Sequence, residues 1–258
     1  MIEQAIQGIL LPLLGTSLGA AAVFILKKNI GRRLQCALQG FAAGVMTTAS
    51  IWSLLLPAIE QNGNLGRLAF LPAVIGFWLG TVFLILMDRL LPPIKLYKGG
   101  HEIPSDRSQN RMLALAVTVH NLPEGMAVGV VYAGYLSGQG RITAVAAMSL
   151  ALGIAIQNIP EGAIISLPLH AEGAGKGRSF LYGAGSGVIE PVGAVITLIT
   201  ARLVIPAMPY LLGFAAGAML YVVAAELIPG MTEKGGIERG SLFFAFGFTL
   251  MMALDVAL

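Results

Sequence analysis

Along the chain, long apolar runs alternate with short polar breaks. Eight runs are long enough, at about 20 residues, to cross a hydrocarbon core as helices: 4–26, 34–58, 68–91, 111–134, 143–169, 178–204, 208–230 and 240–257. The breaks carry charges and turn formers: "KKNIGRR", "EQNGNLGR", a longer polar stretch from Pro92 to Arg111, "GYLSGQGR", "HAEGAGKGR", "RLVIP" and "TEKGGIER". No polar stretch is long enough to fold as a separate soluble domain. The pattern predicts an all-α integral membrane protein with eight transmembrane helices, residues 1–258 forming one domain.

Composition agrees. Hydrophobic residues make up 56% of the chain and charged residues only 11%, where a soluble protein keeps about 25% charged. The 33 glycines suit close packing of membrane helices. Of the 16 Lys and Arg, only Arg67, Arg141 and Arg202 fall on one side of the expected topology. The positive-inside bias therefore places the loops after the first, third, fifth and seventh helices in the cytoplasm and both termini outside. The net charge of +3 reflects this topology. No basic stripe with interleaved aromatics marks a nucleic-acid partner. Cys36 stands alone, which excludes an intramolecular disulfide and a thiolate cluster. The opening "MIEQAIQGILLPLLG" lacks a basic n-region and is read as the first span, not a signal peptide.

The chemistry lies in polar residues inside the runs. "VHNLPEG" stands in the fourth run and "IQNIPEG" in the fifth. His120 and Glu124 are one turn apart on one face, about 6 Å along the axis. Gln157 and Glu161 repeat that spacing, with Asn121 and Asn158 beside them, and Glu190 in "GVIEPVG" sits at similar depth in the sixth run. Ionisable groups at mid-bilayer are costly and mark function. Pro123 and Pro160 deny a hydrogen bond to the carbonyls of Val119 and Ile156, so each helix is expected to kink where its carboxylate sits, and Pro191 is expected to act similarly. A freed carbonyl at that depth lines a cavity or finds a partner. Gathered carboxylates repel or stay protonated unless a cation joins them. Imidazole, carboxylate and amide oxygen together suit Zn²⁺, Fe²⁺, Mn²⁺ or Cd²⁺. Two similar half-sites on antiparallel helices suggest two metals bridged by Glu124 and Glu161. A lone Asn121 or Gln157 would be read as helix glue; the repeated set points to metal.

"HNLPEG", "QNIPEG" and the "EP" of the sixth run together resemble the signatures of the ZIP (Zrt/Irt-like) metal-ion transporters, in their prokaryotic GufA-like branch. The resemblance covers the whole chain. It implies a ZIP-type fold with helices 1–3 and 6–8 as inverted repeats around helices 4 and 5; in the sequence itself, the visible repeat is the phrase shared by helices 4 and 5. It further implies that His120, Glu124, Gln157 and Glu161 form one metal site and that Asn121, Asn158 and Glu190 complete a second, bridged by Glu124 and Glu161. Relatives can carry Asp where Asn158 stands, so the second site is expected to be weaker here or to differ in selectivity. "GFAAGVMTTASIWSLLLPA" in the second run resembles the family's metal pathway. Met46 would offer a thioether near the site, or simply fill a gap. Ser53 would be a ligand nearer the outside, or bond back to its own helix. Glu226 and Asp88 resemble acids of the cytoplasmic exit, Asp88 having a nearby Arg as an alternative partner. His170 is either an interface residue or a release ligand, and His101 in the long loop is read as solvated.

The resemblance implies import of Zn²⁺ into the cytoplasm, with Fe²⁺, Mn²⁺ and Cd²⁺ as further candidates, by elevator-type alternating access. Helices 1, 4, 5 and 6 would move against 2, 3, 7 and 8. The setting would be a bacterial inner membrane and the assembly a homodimer, with metal ions and lipid as partners and no organic cofactor. An intramembrane metallohydrolase is the competing reading, but the His-Glu-x-x-His arrangement of zinc proteases is missing, so no enzymatic activity is expected. A metal that only ties helices together is a third reading; a closed structural zinc site fits this amide-rich, carboxylate-bridged set less well.

Overall fold

A computed structural model describes residues 1–25, 31–90, 107–138, 142–171, 173–232 and 236–257, with backbone alone for 107–117 and 202. Helices and short turns make up this structure, with no strand among the described residues. The long segments are α1 (Ile2–Ile25), α2 (Arg32–Glu60), α3 (Leu71–Leu90), α4 (Arg107–Leu136), α5 (Ala144–Ala171), α6 (Lys176–Ile199), α7 (Leu203–Met231) and α8 (Ile237–Ala257). Among the described residues, α1 to α3 and α5 to α8 are both long and apolar enough to cross a membrane, and α4 has the length, at 30 residues. Most of the polar stretch between α3 and α4, including His101, lies outside the described residues.

Three local features depart from eight plain helices. The "RLVIP" stretch is helical: Thr200 ends one helix and the next opens at Ala201. The Thr200 hydroxyl donates back to the Ile196 carbonyl at 2.8 Å, while its own carbonyl accepts from Leu203 and Val204. One residue thus makes the turn, and the apolar Leu203, Val204 and Ile205 carry the helical pattern straight through. Second, α6 is broken: one helix ends at Ser186 and another begins at Ile189, with Gly187 and Val188 between. Pro191 falls in the first turn of the second half, where a missing amide hydrogen costs little. Third, α2 and α7 each contain a π-helical segment, Ala49–Leu55 and Val223–Leu227. Such bulges are rare and concentrate at functional sites. α4 and α5 stay helical through Pro123 and Pro160.

Four helix pairs meet backbone to backbone, each through glycines that sit where a Cβ would strike the partner. Gly15 and Gly19 of α1 abut Ala155 and Ile159 of α5, and Gly162 of α5 returns the contact at Thr16. Gly125 and Gly129 of α4 abut Glu190 and Ala194 of α6. Gly40 and Gly44 of α2 abut Gly240 and Phe244 of α8. Gly76 and Gly80 of α3 abut Tyr210 and Phe214 of α7. Small residues one turn apart let helices approach this closely where no hydrophobic force drives them together.

These seams expose a repeat beyond the one in helices 4 and 5. "GFAAGVM" at 40–46 and "GFAAGAM" at 213–219 differ at one position. Nine residues after Gly44 comes Ser53, and nine after Gly217 comes Glu226. In the partner helices, Asp88 follows Gly80 by eight residues and Asp255 follows Gly247 by eight. The α2/α8 and α7/α3 pairs are thus two copies of one unit. Large apolar side chains point outward from the bundle, including Ile6, Leu10 and Leu14 of α1, Trp78 and Leu79 of α3, and Leu242 and Phe246 of α8.

Gly217→Leu should drive a side chain into the Phe77 carbonyl and destabilise the protein by at least about 3 kcal/mol, the upper range for overpacking. Gly185→Leu, where a Cβ meets nothing within 4 Å, is the control. Detergent-solubilised thermal melts compare the two, and a Gly217→Leu variant melting like the control would show that the seam is not tight.

Candidate metal centre

The two proline phrases place their polar side chains in the middle of the bundle. Glu124, Gln157, Asn158, Asn121 and Glu190 are all at most 2% exposed. Gln157 Nε2 donates to Glu124 Oε1 at 2.9 Å, joining α4 to α5. Asn121 Nδ2 donates to Glu190 Oε1 at 2.8 Å, joining α4 to α6, and Thr16 of α1 donates to the same oxygen at 3.2 Å. Asn158 Nδ2 reaches the Pro12 carbonyl of α1 at 3.4 Å. The glycine that closes each phrase explains the fit: Gly125 lets the Glu190 backbone in, and Gly162 lets Thr16 in. The break in α6 puts Glu190 in the first turn of a new helix, where exposed amide dipoles favour negative charge.

One oxygen each of Glu124, Gln157, Asn158, Glu161 and Glu190 is buried with no hydrogen-bond partner among the described residues. Leaving a buried polar atom unpaired costs about 1–3 kcal/mol, more if it is charged. Glu161 acts electrostatically on Glu124, Glu190 and His120, so these groups share one neighbourhood. Carboxylate and amide oxygens are donors that divalent cations take, although among the described residues the His, Asp and Glu side chains found close enough to hold one ion are a different group.

His120 also faces a second set of groups. Its Nε2 lies 3.3 Å from Asp88 Oδ1 of α3, and its Nδ1 lies 3.3 Å from Glu226 Oε1 of α7. One ligand atom from each of Asp88, His120 and Glu226 lies within 4.8 Å of the others, close enough to hold one ion. Glu226 reaches the ring from the π segment of α7, whose wider turn shifts the face a residue presents. Asp88, expected to have an Arg as alternative partner, is held instead by His120 and by Tyr221, whose hydroxyl donates to Oδ2 at 2.6 Å.

At the other end of the bundle, Ser53 does not bond back to its own helix. Its hydroxyl is 2.9 Å and 3.1 Å from the two oxygens of Asp255 in α8, and Ser149 of α5 donates to Asp255 at 2.8 Å. A cavity of about 540 Å³ opens here, lined in part by Trp52, Ser53, Glu60 and Asp255. Met46 is buried in the apolar core, one turn before the π segment of α2. His170 sits in the last turn of α5, where its Nδ1 lies 2.8 Å from the Ala174 carbonyl, a contact that closes the helix end.

The family model described as "ZIP Zinc transporter" matches residues 98–255. The chain is 37% identical to "Zinc transporter ZIP11" of Xenopus tropicalis over 100% of this chain and 98% of that protein. It is 37% identical to "Zinc transporter GufA" of Myxococcus xanthus over 94% of each. It is 37% identical to "Zinc transporter ZIPB" of Bordetella bronchiseptica over 94% of this chain and 77% of that one. The chain belongs to the ZIP zinc transporter family. This is a family of transporters and not of enzymes, which sets the metallohydrolase reading aside.

Within this ZIP chain, sequence reading passed over Asp255, Tyr221, Ser149 and Thr16. Asp255 had a signal: it is a lone acid inside an apolar run, and it repeats the Gly-to-Asp spacing of Asp88. Tyr221, Ser149 and Thr16 had none, because a hydroxyl in a membrane helix is ordinary and only its partner makes it notable.

Glu124→Gln keeps the shape and replaces a group that must carry a buried charge or take up a proton, so the metal-free protein should melt no lower than wild type. The same change should shrink the zinc-induced rise in melting temperature, which for wild type corresponds to about 2.7 kcal/mol at a hundred times the dissociation constant. Calorimetry with and without Zn²⁺ checks both signs, and an unchanged zinc response would remove Glu124 from the ligand set.

Proposed function

We propose that this protein imports Zn²⁺ into the cytoplasm through a central site holding two ions bridged by Glu124 and Glu161. The observation that supports it best is the set of five unpaired buried oxygens at the level of the proline phrases. Glu190, Asn121, Gln157 and Asn158 complete that site, and Met46 lends a thioether from α2. His120 stands between the central site and Asp88 with Glu226, and passes the ion on to them. Ser53 and Asp255 collect the ion at the opposite mouth. A chain of weak and strong donors fits a cargo that must be bound and then let go, and the relatives' names as zinc transporters agree with that cargo. Fe²⁺, Mn²⁺ and Cd²⁺ present similar donor preferences and are further cargo.

The motion is an elevator. Two of the four glycine seams, α1/α5 and α4/α6, lie within one group of helices, and the other two, α2/α8 and α3/α7, lie within the other. Sliding one group past the other leaves every seam intact, and it carries the central ligands past α2 and α7. Inverted repeats around a mid-membrane site are the usual frame for such alternating access. The protein sits in a bacterial inner membrane with both termini outside, its outward apolar side chains covered by lipid and by a second copy.

Zinc flux into proteoliposomes loaded with a zinc-sensitive dye tests this reading. Wild type should give saturable influx, and Glu161→Ala should lose it while inserting normally. Equal flux in the two proteins would refute the central site. Tight zinc binding without any flux from wild type would favour a metal that only ties the helices.

A further inference from the structure

Tyr221 has no role in the ligand set above, yet it makes one of the shortest polar contacts in the bundle. Its hydroxyl donates to Asp88 Oδ2 at 2.6 Å, while Asp88 Oδ1 faces His120 Nε2 at 3.3 Å. The two oxygens of Asp88 are therefore divided between a phenol on α7 and the imidazole on α4. Tyr221 also lies one turn before Glu226 of the π segment, so one short stretch of α7 supplies both a candidate ligand and the clamp on another.

The internal repeat gives a second observation. Tyr221 follows Gly217 by four residues, as Thr48 follows Gly44. The Thr48 hydroxyl donates to backbone carbonyls, Gly44 of its own helix and Phe248 of α8, each at 3.1 Å. At the equivalent place in the other repeat the side chain is a phenol, long enough to leave the seam and reach a carboxylate. The repeat thus diverges at the position that serves the Asp88, His120 and Glu226 cluster.

We infer that Tyr221 is a positioning residue for the ion at this inner cluster, fixing Asp88 so that it offers one oxygen and not two. The inference rests on the reading of Asp88, His120 and Glu226 as the ion's release station. A carboxylate whose second oxygen is occupied by a donor binds through one atom, in a direction set before the ion arrives. That arrangement suits the four-coordinate preference of Zn²⁺. A freed Asp88 would rotate, chelate with both oxygens, and favour cations that accept more oxygen donors, such as Mn²⁺. Hydrogen-bond partners of ligands commonly control metal affinity or activity by about 10- to 100-fold.

The test is a double-mutant cycle on zinc flux in proteoliposomes, with wild type, Tyr221→Phe, Asp88→Asn and the double variant at equal inserted amounts. Tyr221→Phe removes one oxygen atom and keeps the ring. It should lower the maximal zinc flux about tenfold with little change in KM, and it should shift competition toward Mn²⁺. In the Asp88→Asn background the same change should be silent, because the phenol acts through that carboxylate. If Asp88→Asn lowers flux but Tyr221→Phe does not, or if the two effects simply multiply, Tyr221 is only a contact between helices and the inference falls. If Asp88→Asn itself leaves flux unchanged, the release station is wrong and the inference falls with it. An equal loss of melting temperature and flux in Tyr221→Phe, with the Zn²⁺ to Mn²⁺ preference intact, would also overturn it.

Discussion

Negative charge held away from water governs this molecule. An unpaired carboxylate in a protein interior costs several kcal/mol, and a membrane offers no solvent to soften that cost. Glu124 and Glu190 each have one oxygen satisfied by an amide of a neighbouring phrase and the other left bare. Amide donors fix the direction of each group, and the bare oxygens leave a place for positive charge. The remaining architecture keeps those groups buried in one part of the bundle: the proline phrases, the break in α6, and the helix seams that bring α1, α4, α5 and α6 together.

The seams achieve this with glycine. Each phrase ends in a glycine against a neighbouring backbone, so buried carboxylate and packing residue are adjacent in the chain. The second pair of seams, α2/α8 and α3/α7, builds two copies of one frame. Each frame carries an acid near the end of its helix, Asp255 in one and Asp88 in the other. The donors around the two acids differ. Hydroxyls of Ser53 and Ser149 hold Asp255, while an imidazole and a phenol hold Asp88.

Much of this was legible in the sequence. Apolar runs of membrane length gave the helices, and the two phrases with Glu190 gave the buried polar residues at the centre of the bundle, because ionisable residues inside an apolar run stand out. What was not legible has physical causes. The turn at Thr200 leaves little mark in the sequence, because one residue suffices to end a helix and start another, and the charge of Arg202 resembles a loop. The break in α6 was read as a kink, since a proline after Glu190 predicts either outcome and only the register of the first turn decides. Spacing puts His120 on the face of Glu124 but does not show its further neighbours, and the π segment of α7 brings Glu226 to the ring. The GFAAG repeat was in plain view, yet its meaning depended on knowing that its glycines meet carbonyls.

The adjacency of ligand and glycine in each phrase has a consequence for anyone mapping this protein genetically. Gly125 and Gly162 own no side chain and touch no ion. A substitution at either would push α6 or α1 away and carry Glu190 or Thr16 out of place. Such variants would score as binding defects of the same severity as loss of a carboxylate. A screen that ranks positions by lost metal binding would count them among the ligands, and only a measurement of helix packing would tell the two kinds of failure apart.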